Sequence, residues 1–191
     1  TGCIAHAAYY IESNGEAAII DPLREVEPYL KKAAQANTKI KYIFETHFHA
    51  DFVSGHIDLA EKSGAQIVYG PTAVTTFPSH IAKDGEEFKI GDLTITALHT
   101  PGHTLESTTY LLTDKNGVKH CIFTGDTLFI GDVGRPDLAQ KGDLTMEDLA
   151  GILYDSLHAK IMPLPDDIIV YPGHGAGSAC GKSMSKETFD T

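Results

Sequence analysis

A chain of 191 residues with 42% hydrophobic content can bury one sizeable core and is too short for two domains of ordinary size. Its formal charge of -11, spread without acidic blocks, sets the surface against nucleic acid and anionic membranes. No run approaches the roughly 20 apolar residues of a membrane span, Thr1-Gly2-Cys3-Ile4 lacks the layout of a secretory signal, and the scattered Cys3, Cys121 and Cys180 fit a reduced, cytoplasmic compartment rather than a disulfide framework.

Alternating or short apolar runs predict strands over residues 9–11 and 17–21, and helical periodicity follows over 25–36. A strand at 41–45, a helix at 54–63 and a strand at 66–69 come next, then strands at 93–99, 107–112 and 118–124. The clearest helix spans 146–159, where Thr145 and Asp148 read as a capping pair and Met146, Leu149, Ile152, Leu153 and Leu157 fall on one face. A last strand covers 167–171. Strands outnumber helices and several are joined by short turns, so the pattern predicts an α+β domain of two sheets with helices outside. The missing initiator Met and the uncapped, helix-like ending at 186–191 are expected of a piece of a longer chain.

Four of the predicted strands end in a residue that can bind metal. Thr46-His47-Phe48-His49-Ala50-Asp51 follows Tyr42-Ile43-Phe44, and alternation would carry His47, His49 and Asp51 into one cleft. Pro101-Gly102-His103, Thr124-Gly125-Asp126 and Pro172-Gly173-His174 follow three further strands. A lone histidine in such a loop is more often solvated or structural. Four independent strand ends that each deliver His or Asp beside Gly or Pro point instead to a metal site, with His47, His49, His103 and Asp126 as its candidates. His6, His80, His120 and His158 fit no ligand spacing, while His56 and His99 flank motif residues as structural groups. Gly181-Lys182-Ser183 imitates the end of a phosphate-binding loop, but Ala176 stands where its first Gly is required.

The order His47-x-His49-x-Asp51, His103, Asp126, His174 resembles the metallo-β-lactamase superfamily, whose fold is a four-layer αβ/βα sandwich with a metal cleft at one sheet edge. Hydrolytic members of the glyoxalase II type often carry Asp-His in the first motif, whereas this chain has Asp51-Phe52. A phenylalanine ligates nothing, so a single metal is favoured. The phrases Ala50-Asp51-Phe52-Val53-Ser54-Gly55-His56, residues 125–137 and Tyr171-Pro172-Gly173-His174-Gly175 are similar to the persulfide dioxygenase branch, in particular to its bacterial fusions with rhodanese domains. That resemblance implies one Fe(II) held by His47, His103 and Asp126, with open positions for a glutathione-like persulfide and O2. Zinc could substitute in the site but not in the redox step.

His49 remains either a ligand or a group that orients one. Asp51 and His174 are expected to line the cleft and serve catalysis by orienting ligands or bound water, with weak metal binding as the alternative. Arg135, in a Gly-rich loop, could hold a carboxylate of the carrier thiol, with a salt bridge to Asp132 or Asp137 as the competing structural reading. Cys180 could receive or relay sulfane sulfur, or be a buried, idle thiol. Partners implied are the persulfide, O2 and a linked rhodanese domain, with homo-oligomerisation left open. The alternatives are a glyoxalase II-like thioester hydrolase and a non-catalytic module whose metal is structural.

Overall fold

The computed structural model describes residues 5–138, 143–181 and 183–191, so Cys3 and Lys182 lie outside the described residues. Strands β1 (Tyr9–Ser13) and β2 (Glu16–Ile20) form a hairpin. Helix α1 (Glu27–Ala36) then returns the chain so that β3 (Lys39–Phe44) lies parallel to β2. Helix α2 (His56–Ser63) repeats the crossover to β4 (Gln66–Tyr69), and β5 (His80–Ile81) completes a sheet of order β1-β2-β3-β4-β5. Parallel pairing requires crossovers of this kind, and helices supply them.

The second sheet has the order β12-β9-β8-β7-β6. Strands β6 (Glu87–Ile90), β7 (Leu93–His99), β8 (Thr108–Thr113) and β9 (Lys119–Gly125) form an antiparallel meander. A small ribbon, β10 (Leu128–Phe129) with β11 (Asp132–Val133), stands beside it. Helix α3 (Met146–Ser156) opens with the predicted capping box, Thr145 and Asp148 each accepting from the other's backbone N–H. It runs into a π-helical turn at Leu157–Ile161, after which β12 (Ile169–Pro172) pairs parallel to β9.

Three apolar layers separate four structural ones. Ile20, Phe44, Val68, Ile95, Tyr110 and Phe123 fill the space between the sheets. Ile19, Ile43, Leu59 and Ile67 join the first sheet to α1 and α2, while Leu111, Ile122, Ile161 and Ile168 join the second sheet to the turn after α3. Alternating strand residues therefore face two different cores, which is why both faces of β3 and β9 are apolar. The result is the expected helix/sheet/sheet/helix sandwich. The expected strands all appear, within a residue or two at their ends. Strands β5, β6, β10 and β11 were not foreseen, since each is too short or too polar to display a period of its own.

Candidate metal centre

Strands β3, β9 and β12 end at the same edge of the sandwich, and the loop after β7 arrives beside them. At the end of β9, Gly125 takes a left-handed φ of 52°, where a Cβ would also stand 2.4 Å from Thr46 Oγ1. Glycine thus lets the chain turn against the His47 loop and present Asp126. Donor atoms of His47, His103 and Asp126 all lie within 4.8 Å of one another, and all three residues are buried. His47 Nε2 is 3.9 Å, and His103 Nε2 3.5 Å, from Asp126 Oδ2.

The far nitrogen of each imidazole is tied down. His47 Nδ1 lies 3.0 Å from Thr46 Oγ1, and His103 Nδ1 donates to the Arg135 carbonyl at 3.0 Å. His49 Nε2 sits 3.1 Å from Asp21 Oδ1 and 3.5 Å from Glu45 Oε2. Fixing one nitrogen selects the tautomer and aims the other. His47 Nε2 and His103 Nε2 consequently face Asp126, and His49 keeps a buried Nδ1 with no hydrogen-bond partner among the described residues. Its ring lies 4.2 Å from that of His47. Among the described residues, neither Asp126 oxygen meets a donor in hydrogen-bonding geometry. A buried carboxylate without a donor is costly. Two imidazoles and that carboxylate fit a divalent transition metal.

Electrostatics point the same way. Burial, reinforced by the neighbouring imidazoles, holds His47 well below the usual histidine range, so it stands neutral, the form that binds metal. Burial also works to lower His49, but Asp21 and Glu45 overcome it and raise the group to about 9. Burial pushes Glu45 up to about 8. Asp21 opposes its own burial through His49 and stays below the usual carboxylate range.

The remaining expected residues divide. The alternation anticipated for His47, His49 and Asp51 does not continue past Phe44, because residues 45–51 are bends and irregular chain, not strand. His47 joins His103 and Asp126, His49 turns its Nε2 to Asp21 and Glu45, and Asp51 joins His174 and Cys180. His174 Nε2 is 3.2 Å from Asp51 Oδ2 and 3.4 Å from Asp126 Oδ1. Cys180 is buried, and burial with Asp126 beside it pushes its thiol up to about 12. Arg135 makes a two-pronged ion pair with Asp137, at 3.0 and 2.5 Å, and donates to the Ala179 carbonyl. Its main-chain carbonyl accepts from His103 and so links Arg135 to the centre.

Three residues had no motif to announce them. Asp21 accepts from Thr46 N–H and Oγ1–H, both at 2.8 Å. Glu45 accepts from Ser54 Oγ at 2.7 Å. His6 hydrogen-bonds to the Asp21 carbonyl and stacks 4.0 Å from Phe52, whose other side is 4.4 Å from His49. The only available signal for Asp21 was its place at the end of a buried strand beside Pro22.

The model of the family described as the metallo-beta-lactamase superfamily matches residues 1–174. A probable hydroxyacylglutathione hydrolase of Schizosaccharomyces pombe is 34% identical over 178 residues, 92% of this chain and 65% of that protein. The mitochondrial persulfide dioxygenase ETHE1 of Homo sapiens is 33% identical over 161 residues, 83% of this chain and 59% of that protein. The chain thus spans about three-fifths of the length of such curated relatives. A crystal structure of a metallo-beta-lactamase from Staphylococcus aureus superposes with a TM-score of 0.89 at 37% identity, over 99% of this chain and 57% of that one. With the fold, the strand-end histidines and aspartate and the family model in agreement, the chain belongs to the metallo-beta-lactamase superfamily.

Proposed function

We propose that the chain is the catalytic domain of a mononuclear non-haem iron persulfide dioxygenase, which oxidises a low-molecular-weight, glutathione-like persulfide to sulfite and free thiol. The observation that carries this reading is the buried set His47, His103 and Asp126, two imidazoles and one carboxylate, with Phe52 where a hydrolytic site would offer a further imidazole. One Fe(II) held there would supply the redox capacity to combine O2 with a persulfide sulfur. The protein's own contribution is rigidity and proton placement. Thr46, Asp21 and the Arg135 carbonyl hold the ligand rings in place, so binding costs little rearrangement. His49 offers its buried Nδ1 as a further ligand.

His174 and Asp51, 3.2 Å apart, can hold a proton at His174 Nε2 on the cleft side of Asp126, and Cys180 forms part of that wall. Arg135, nine residues after Asp126, is the candidate to hold a carrier carboxylate, although Asp137 already neutralises it. A linked rhodanese domain as the sulfur source and a cytoplasmic setting complete the reading.

A glyoxalase II-like thioester hydrolase is the second reading, supported by the hydroxyacylglutathione hydrolases among the relatives. Oxygen consumption by the anaerobically Fe(II)-loaded protein given glutathione persulfide separates the two, with His103→Ala and a glutathione thioester run in parallel. Uptake that disappears in the variant supports the dioxygenase. Thioester cleavage without uptake overturns it in favour of the hydrolase.

A further inference from the structure

We propose that the cavity between the loop after β3, the start of α2 and Phe77 is a separate binding site for a small, uncharged phenol or aromatic alcohol. The cavity holds about 330 Å³, at the lower end of the roughly 300–1,000 Å³ of ligand pockets, which is room for a single ring. Phe48, Phe52, Tyr69 and Phe77 wall it. The ring centroids of Phe48 and Tyr69 stand 4.7 Å apart, and those of Tyr69 and Phe77 6.2 Å, the spacing at which a further ring can join offset or edge-to-face. Phe48, Val53 and Ile57 are 38%, 61% and 40% exposed, and all three line this one cavity. Large apolar side chains gathered in water at one opening mark a place where an apolar guest is received.

The polar part of the lining sets the rest of the chemistry. Glu45 is fully buried, and among the described residues its Oε2 meets no partner in hydrogen-bonding geometry. Ser54 Oγ already gives its proton to Glu45 Oε1. Neither ring nitrogen of His56 has a hydrogen-bond partner among the described residues, and Nδ1 stands 3.7 Å from Glu45 Oε1. A neutral imidazole carries one N–H and one bare nitrogen, so a hydroxyl, which both donates and accepts, can pair with His56 whichever nitrogen holds the proton. Unpaired buried polar atoms are costly, and a guest hydroxyl relieves that cost. Charged guests fit poorly. Among the described residues no lysine or arginine lines the cavity, so a carboxylate or phosphate would be buried without a counter-ion. An ammonium would lie one imidazole, that of His49, from the cation expected at the centre. The site is distinct from the persulfide position, and the inference holds for either reading of the reaction.

Fluorine NMR titration of the full-length protein with 4-fluorophenol, with and without metal, tests it. One saturable equivalent is expected in both states. 4-Fluoroanisole, whose hydroxyl is capped, should bind at least about threefold more weakly, and 4-fluorobenzoate at least about tenfold more weakly. Phe77→Ala should weaken 4-fluorophenol by about tenfold or more. Ile57→Glu, at an exposed helix position that spares the core, should weaken it by about threefold or more. His56→Phe keeps a ring and removes both nitrogens, so it should shrink the preference for 4-fluorophenol over 4-fluoroanisole. The proposal is overturned by the absence of a saturable shift, by binding that requires the metal, or by equal affinity for the capped ether or the carboxylate. Affinity that survives both Phe77→Ala and Ile57→Glu, or a hydroxyl preference that His56→Phe leaves unchanged, overturns it as well.

Discussion

Asp21→Asn tests whether the ligand loop is held by a buried anion. Asp21 has a left-handed φ of 48°, a conformation asparagine tolerates, so the substitution adds no backbone strain and changes little but charge. In the parent, two Thr46 donors at 2.8 Å and His49 Nε2 at 3.1 Å converge on the carboxylate. Asparagine keeps one acceptor oxygen for three donors and turns an amide N–H₂ toward the others. A hydrogen bond to a charged group contributes about 1.5–3 kcal/mol, and with one retained in neutral form the net loss should be roughly 2–4 kcal/mol. A domain with about 5–15 kcal/mol of stability remains folded after that loss. Because Thr46 and His49 lose their anchor together, metal affinity should also fall, by about 10- to 100-fold. Urea unfolding of the metal-free protein gives the first quantity, and competition with a chromophoric zinc chelator gives the second. Unfolding stability within about 0.5 kcal/mol of the parent, together with affinity within about twofold, would refute the reasoning.

Three further outcomes follow from single features. Above pH 6.5, where the lowered His47 and His6 are neutral folded and unfolded alike, the metal-free protein should lose stability as pH rises: His49, raised from 6.5 to about 9, contributes about 3 kcal/mol that is complete below pH 6.5 and lost as pH passes 9. Glu45, raised from 4.5 to about 8, adds a loss of the same sign, and saturating zinc should flatten the profile if His49 Nδ1 is a ligand; melting temperatures across pH 7–9 measure both. Gly173→Ala places a Cβ 2.8 Å from Asp126 Oδ1 and 3.1 Å from the Gly125 carbonyl carbon, so metal affinity should drop about tenfold or more, as read by the same chelator competition, and the melting temperature should fall with it. Tyr110→Phe removes a buried hydroxyl that donates to the Glu45 carbonyl at 3.0 Å, which should cost about 1–3 kcal/mol in urea unfolding because the acceptor is left dry.

The sandwich was legible because each of its layers writes a period into the chain. Apolar runs such as 41–45 and 118–124 reveal strands buried on both faces, and the stripe from Leu149 to Leu157 reveals a helix facing one core. The candidate ligands stood out for a related reason: a buried strand that ends in Gly or Pro followed by His or Asp is a local pattern. What holds the ligands was not. Asp21 and Thr46 are 25 residues apart, and Arg135 and His103 are 32 apart. Such pairs come together only through the parallel pairing of β2 with β3 and the loop beside β10, and no local pattern encodes them. His6 was read as fitting no ligand spacing, and its place beside Phe52, His49 and His174 follows from a single bridge between the chain start and the loop after β12.

The same distance in sequence explains why the site can be both rigid and costly. Its anchors come from the end of β2, from the end of β3 and from the loop after the β10-β11 ribbon, so no candidate ligand ring can move without disturbing a sheet strand or that ribbon. Without a cation, the Asp126 oxygens are buried with no hydrogen-bond donor among the described residues, His47 is held neutral and Glu45 is pressed toward its protonated form. Each of these opposes folding of the metal-free chain, and each is relieved by positive charge at the centre. Metal affinity and fold stability are therefore two readings of one set of contacts, linked by mass action. A change to an anchor that weakened the fold but left metal affinity untouched would break that link. Asp21, which touches His49 directly and His47 through Thr46, is the residue at which the two effects should be hardest to separate.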